Sequence, residues 1–407
     1  MKIAVVVSEI PKTEGGAAVF QDMVVSAISN YGNSQQHEFI IFDYSSDINY
    51  QVLGSIKAYG LKKGINLGYI SRIAGYVQRR INYLYKKLEG KSFSNLLGHH
   101  VQLDKLVDDQ NVDLVWFLTP RAFITNCPFV VTLWDLQHRL QPYFPEVSNG
   151  SEWDDREVHY KRILQRATKV IAGTNVGKNE AVHFYSLSPN NVIVSAFPAP
   201  IFSLQDLNPI DDGDVIIGKI SQKKFFLYPA QFWPHKNHIN LLRAYKLAAD
   251  KNTEFPILIL AGSDKGNGDR IISEIDRLGI SSSVVMVGFV TRRQLVWLYK
   301  NACALIFPTW FGPDNIPPLE AFSLGCPVAA SKVSGSEEQL RDAALLFDPG
   351  NIDEMSESMQ RIYHDESLRN QLINRGLNLV HGLTPKNYVD KVLDELKEIE
   401  IISQNWR

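Results

Sequence analysis

The chain is poor in cysteine, has no long apolar run and carries almost no net charge. Its three cysteines in 407 residues, Cys127, Cys303 and Cys326, are far apart and show no metal-ligand spacing. That excludes a disulfide framework and fits a reducing compartment. All three lie in or beside apolar runs, where buried structural thiols are expected. No stretch approaches the ~18 consecutive apolar residues of a membrane-spanning helix. The first residues, 1–9, hold one lysine and a short apolar run closed by Glu9, which predicts a first strand and not a signal peptide. A cytoplasmic protein is expected, soluble or peripheral at the inner face of the membrane.

Basic and acidic residues number 42 and 44, for a net charge of -2, which argues against a general nucleic-acid binder. No G-x-G-x-x-G occurs, so a nicotinamide or flavin site is poorly supported. No G-x-S-x-G elbow occurs either. Asp212-Gly213-Asp214 has the D-x-D spacing that can hold a divalent metal, but it lies in a polar linker rather than at a strand end and reads as incidental. Neither a metal nor a cofactor is expected.

What is present is ordinary globular material, 45% apolar and 21% charged, enough for about two domains. Short apolar runs alternate with helical patterns, the signature of parallel α/β units. Strands are predicted at Lys2–Val7, Glu38–Phe42, Leu114–Leu118, Phe129–Leu133, Lys169–Ala172 and Asn191–Val194. A second set is predicted at Phe225–Tyr228, Ile257–Ala261, Val284–Val287, Ala304–Phe307 and Val328–Ala330, with Ala344–Phe347 at an edge. The strand-poor, Pro/Gly-bearing stretch from Phe197 to Asp214 separates the sets. Two doubly wound, Rossmann-like domains, 1–203 and 204–384, are expected to face a cleft. Thr384 and Pro385 then start an amphipathic helix over 385–407, expected to lie back on the first domain.

The most informative stretch runs from Pro308 through Asp314-Asn315-Ile316-Pro317-Pro318-Leu319-Glu320-Ala321. It reads as strand, polar turn, then helix. Such a turn aims backbone N–H groups and the positive end of a dipole at one point, a seat for phosphate. The residues concerned are Asp314, Asn315, Ile316, Pro317 and Leu319. Glu320 suits a sugar hydroxyl pair beside the phosphate. Lys236, just past a strand end, can meet a diphosphate as a point charge; a solvated loop lysine is the alternative. Gly15 and Gly16 let backbone approach a ligand, or simply make a turn. Asp135 and His138 follow a strand and are expected at the same cleft, where either can orient or deprotonate a hydroxyl. An Asp cap with an exposed histidine is the alternative.

The segment 56–91 holds nine Lys/Arg against one acid, Glu89. Arg72, Tyr76, Arg79, Tyr83 and Lys86 fall on one helical face there. That stripe suits an anionic membrane or a phosphorylated acceptor, or is an ordinary solvated face.

With these residues assembled, the chain resembles the retaining GT-B glycosyltransferases of family four, the group-one transferases of polysaccharide, lipopolysaccharide and O-antigen assembly. The resemblance covers nearly the whole chain and is densest between residues 225 and 350. It rests on the Pro-Pro-Leu-Glu-Ala run, on Gly325–Ser331, and on Glu337, Ala343–Phe347 and Pro349. It implies that Lys236 binds the donor diphosphate, Gly288-Phe289-Val290 the base, Gly15-Gly16 the phosphates and Glu320 the ribose. Three departures stand out. The family's first glutamate is Gly312, with Asp314 the nearest acid; its arginine is Gln231; its histidine is Trp134, with His138 one turn on.

The implied reaction moves a sugar, by family habit mannose or rhamnose, from a nucleotide diphosphate donor to a saccharide or polyprenyl-linked oligosaccharide, without metal and with retention. A catalytically degenerate GT-B binder, a sugar-nucleotide epimerase and a phosphorylase are the competing readings.

Overall fold

A computed structural model describes residues 1–8, 16–31, 37–44, 56–61, 100–208, 214–220, 222–252 and 254–403. Gly15, the basic stripe from Arg72 to Lys86, and Asp212-Gly213 lie outside these residues.

The first sheet holds seven parallel strands: β1 (Lys2–Val7), β2 (Glu38–Asp43), β3 (Lys57–Gly60), β4 (Leu114–Phe117), β5 (Phe129–Thr132), β6 (Lys169–Ala172) and β7 (Val192–Val194). Their order is β3-β2-β1-β4-β5-β6-β7. The strand direction of travel reverses between β1 and β4, so a crevice opens there at the strand C-termini. The second sheet holds β8 (Phe225–Pro229), β9 (Ile257–Ala261), β10 (Val284–Gly288), β11 (Ala304–Phe307), β12 (Val328–Ser331) and β13 (Ala344–Phe347). Its order is β10-β9-β8-β11-β12-β13, and its switch point lies between β8 and β11. Both sheets have buried central strands that read as near-continuous apolar runs, as sheets covered on both faces require.

Twelve strands lie within a residue of their predicted ends. β3 is the exception. Its sequence, Lys-Ala-Tyr-Gly, is short, half-exposed and at a sheet edge, so it lacks the apolar run that marks the others.

Six helices bear on the site. They are α1 (Gly16–Tyr31), α2 (Glu152–Leu164), α3 (Asn175–Tyr185), α4 (His238–Ala249), α5 (Ile316–Ser323) and α6 (Pro385–Ser403). In α6, Tyr388, Val389, Val392, Leu393, Leu396 and Ile399 join the first sheet's core, packed with Phe20, Trp116 and Phe197. The Thr384 hydroxyl accepts the Asn387 N–H at 3.1 Å, capping the start of this helix. The helix ties the end of the second domain onto the first. Of the three free cysteines, Cys326 is buried, while Cys127 and Cys303 are half-buried.

Candidate active site

The two switch points face each other across a cleft. A cavity of about 320 Å³ there is lined from the first domain by Gly16, Phe20, Trp134 and Asp135, and from the second by Gln231, Lys236, Phe311, Gly312 and Asp314–Pro317. Two apolar β-strands, β8 and β11, end at its floor, and the polar turns that follow them supply its functional groups.

After β8 the chain makes a short 3-10 turn over Pro234–Lys236. Asn237 closes it in the left-handed region, φ 60°, which asparagine tolerates better than most residues. Its side-chain amide donates to the Pro308 and Pro349 carbonyls at 3.0 and 2.9 Å. The Tyr228 hydroxyl donates to the Lys236 carbonyl at 2.7 Å. The backbone carrying Lys236 is thus fixed on both sides. Its Nζ lies 5.6 Å from the Phe307 ring centroid. Burial lowers the Lys236 pKa to about 8, against the opposing charges of Glu146 and Asp135. A desolvated ammonium of this kind has most to gain from an anionic ligand.

The turn after β11 is more constrained than its sequence suggests. Pro317 and Pro318 occupy the second and third positions of α5 and have no N–H to offer. The Asn315 N–H is taken by Gln339 Oε1 at 3.0 Å. The Leu319 N–H falls at the position that bonds the Asn315 carbonyl as the helix begins, so the Ile316 N–H is what remains of the expected anion seat. A Cβ at Gly312 would lie 2.0 Å from the Ser334 carbonyl oxygen, so this backbone admits no side chain there. Asp314 packs on Gly173, whose own Cβ would sit 2.5 Å from the Asp314 Oδ2. Burial first, then Glu338 and Glu180, push the Asp314 pKa up to about 8. It is therefore a neutral hydrogen-bond donor at neutral pH.

The opposing wall is the start of α1. Gly16 is its first described residue, and a Cβ there would touch Ile316 Cγ1 at 3.3 Å, so glycine lets the two domains approach. The N-terminal end of α1 points its positive dipole end at the cleft.

Other expected residues sit elsewhere. Glu320 is 8% exposed and lies beneath the cavity, its Oε2 accepting the Tyr299 hydroxyl at 2.8 Å. Gly288, Phe289 and Val290 are at the C-terminal end of the edge strand β10, beyond the cavity. Phe289 is 56% exposed there, which leaves its ring open for stacking. Gln231 lines the cavity, and its Oε1 accepts the Trp233 indole N–H at 3.0 Å. Asp214, the second acid of the D-x-D match, caps a helix by accepting the Ile216 and Ile217 N–H groups.

His138 is not at the cleft. It is 0% exposed, its Nε2 meets the Tyr185 hydroxyl at 3.1 Å, and its ring packs against Trp153 and Tyr160. The short helix Gln137–Leu140 buries it, whereas Asp135, ahead of that helix, lines the cavity. Burial, before the charge of Arg156, holds its pKa below the usual value.

Sequence reasoning missed the residues that join the domains. Glu146 accepts the His235 backbone N–H at 2.8 Å and also bonds its imidazole Nδ1. That ring stacks on Phe311, centroids 4.0 Å apart. The Gln137 and Gln141 side-chain amides donate to the Gly312 and Trp310 carbonyls, each at 2.9 Å. Glu338 accepts the Asn175 and Val176 N–H groups at the start of α3. None of these has a local signature, because each partner lies in the other domain.

Residues 212–378 match the family model described as glycosyl transferases group 1. The chain is 28% identical over 180 residues to O-antigen chain mannosyltransferase B of Escherichia coli, covering 44% of this chain. That alignment spans 47% of the relative's own length, about half. Among solved structures, a glycosyltransferase from Rickettsia africae superposes with TM-score 0.67 at 14% identity, covering 99% of this chain and 98% of that one. Anabaena Alr3699/HepE in complex with UDP superposes with TM-score 0.68 at 16% identity, covering 98% and 100%. The chain has the GT-B fold, and residues 212–378 of its second domain match the group 1 glycosyl transferases.

Proposed function

We propose that the protein is a retaining, metal-independent hexosyltransferase. It moves a sugar, with mannose favoured over rhamnose by the similarity to an O-antigen mannosyltransferase, from a nucleotide diphosphate donor. The acceptor is a hydroxyl of a saccharide or polyprenyl-linked oligosaccharide in surface polysaccharide assembly, at the cytoplasmic face of the membrane. The observation that carries this reading is Lys236, a half-buried cation fixed in the interdomain cavity opposite the start of α1.

In this reading the diphosphate lies between Lys236, the Ile316 N–H and the N-terminal end of α1. Charge develops on it as the glycosidic bond breaks. Preorganised donors in a site shielded from water stabilise that charge, commonly the largest catalytic term. They take the place of a metal ion. Glu320, held by Tyr299, is assigned to the ribose and Phe289 to the base. Asp135 positions the acceptor hydroxyl. Asp314 donates a hydrogen bond to an oxygen of the transferred sugar, a role open to it because position 312 carries no side chain.

A thermal-shift screen with GDP-mannose, UDP-glucose, UDP-galactose and dTDP-rhamnose tests donor binding. Positive donors are then offered octyl α-D-mannoside and octyl α-D-glucoside, with and without EDTA, and the product anomer is read by NMR. Transfer with retention, indifferent to EDTA, is expected. The second reading is a degenerate sugar-nucleotide binder, favoured by the two prolines that thin the anion seat and by the closed position 312. Donor binding without turnover toward either acceptor would establish it. Isomerisation of the donor alone would establish an epimerase instead.

A further inference from the structure

A second cavity, of about 510 Å³, opens beside the cleft and is built wholly from the first domain. Ala17, Trp134 and Asp135 line both cavities and so form the passage between them. Phe123, Tyr160, Arg156 and His159 line the rest of the second. Its volume falls in the range of roughly 300–1,000 Å³ typical of small-molecule sites. Aromatic faces interleaved with charged hydrogen-bonding groups suit a polyhydroxylated ring better than an apolar ligand.

Asp135 is held in a particular way. Its Oδ1 accepts the Gln137 N–H at 3.0 Å and the Arg156 guanidinium at 3.3 Å. Arg156 is tied in turn through its Nε to Glu152 at 2.8 Å. Burial works against the arginine's charge, but Asp135, Tyr160 and Glu152 outweigh it and hold the pKa above the usual value. One carboxylate oxygen of Asp135 is thus pinned twice. Among the described residues the other, Oδ2, carries no hydrogen bond.

We infer that Arg156 is a positioning residue for the acceptor: by pinning Asp135 Oδ1 it presents Oδ2 to the hydroxyl of a saccharide seated in the second cavity. The inference rests on the transfer reading above. In that step the acceptor oxygen bonds to the anomeric carbon. The bond from that carbon to the diphosphate breaks, its electron pair leaves with the diphosphate, and the acceptor proton passes to a phosphate oxygen. Asp135 orients the O–H, and Arg156 acts on the reacting hydroxyl through Asp135.

An ion pair that merely tethers α2 to the loop after β5 would affect stability and leave the acceptor alone. The test uses Arg156→Met, Arg156→Lys, Asp135→Asn and the Met/Asn double variant, with the donors and octyl glycosides above. GDP and UDP affinity and thermal unfolding are measured alongside. Misplacing a reacting group by about 1 Å costs about 10²-fold. Arg156→Met should therefore lose about that in kcat/KM for the acceptor, with nucleotide affinity and unfolding temperature unchanged. Arg156→Lys should regain part of the loss. The double variant should be no worse than Asp135→Asn, since both act through one group. Unchanged acceptor kinetics in Arg156→Met, additive losses in the double variant, or an equal loss of nucleotide affinity would overturn the inference. A wild type that transfers nothing to either acceptor refutes the transfer reading and this inference with it.

Discussion

Two groups in the donor cavity titrate near pH 8 for the same physical reason, and they pull in opposite directions. Burial lowers Lys236 to about 8 and raises Asp314 to about 8. Lys236 serves as a cation, so donor affinity should fall as pH rises above about 8. Lys236→Arg should move that limb out of range, because guanidinium stays charged. Lys236→Ala should cost ~10²–10³ in rate. A flat donor-affinity profile from pH 6 to 9.5 in the wild type would refute the assignment. Asp314 needs its sign worked separately. Its folded pKa lies above the unfolded value of ~3.9. What it contributes to stability is full below that value and is lost as pH rises toward about 8. Asp314→Asn keeps the shape and never ionises, so its melting temperature should fall less between pH 5 and 8.5 than that of the wild type. Equal slopes in scanning calorimetry would show that Asp314 is ionised in the fold.

At the scale of elements, the turn between β11 and α5 is the decisive piece, and it was legible only in part. The apolar run Ala304–Phe307 and the prolines ahead of Leu319 announce strand, turn and helix, because those signals are local and periodic. Lys236 was legible likewise, from its place between a strand and a helix. What the turn does with its backbone was not legible. The Ser334 carbonyl that closes position 312 and the Gln339 amide that takes the Asn315 N–H come from a segment 22–24 residues downstream. His138 was misassigned because the inward face of a four-residue helix is decided by what packs on it, here Trp153, Tyr160 and Tyr185. The closed turn carries its own prediction. Gly312→Glu installs the glutamate that the family resemblance implies at this position, yet it must displace the 333–336 segment. Overpacking of this kind costs about 1–3 kcal/mol. The variant should unfold earlier and bind donor more weakly than wild type. A gain in donor turnover with unchanged melting temperature would mean that the turn opens readily and that Gly312 is not constrained by Ser334.

At the scale of the whole molecule, the cavity exists because the two sheets are held face to face. α6 ties the end of the chain to the first domain from behind, and the contacts on the cleft side decide how far the domains open. Glu146 is the most telling of these. Its carboxylate grips both the backbone N–H and the ring of His235, next to Lys236, in a buried setting. Burial opposes ionisation of Glu146, but the hydrogen bonds from His235 outweigh it and keep its pKa below the usual range. His235, lowered to about 4 by burial and then by Lys236, is neutral at physiological pH, so the contact is a charge-assisted hydrogen bond rather than an ion pair. Removing the carboxylate leaves the His235 donors buried without a partner in the closed form, at a cost of about 1–3 kcal/mol. That cost falls on the closed state alone, since an open cleft lets water reach the histidine. Glu146→Ala should therefore shift the closing equilibrium by roughly 5–150-fold and weaken nucleotide binding by the same factor, although Glu146 lies outside the donor cavity. Small-angle scattering should show a larger radius of gyration than wild type, reversed by saturating nucleotide. An unchanged radius together with unchanged nucleotide affinity would show that the glutamines Gln137 and Gln141, and the Glu338 cap on α3, suffice to hold the cleft shut.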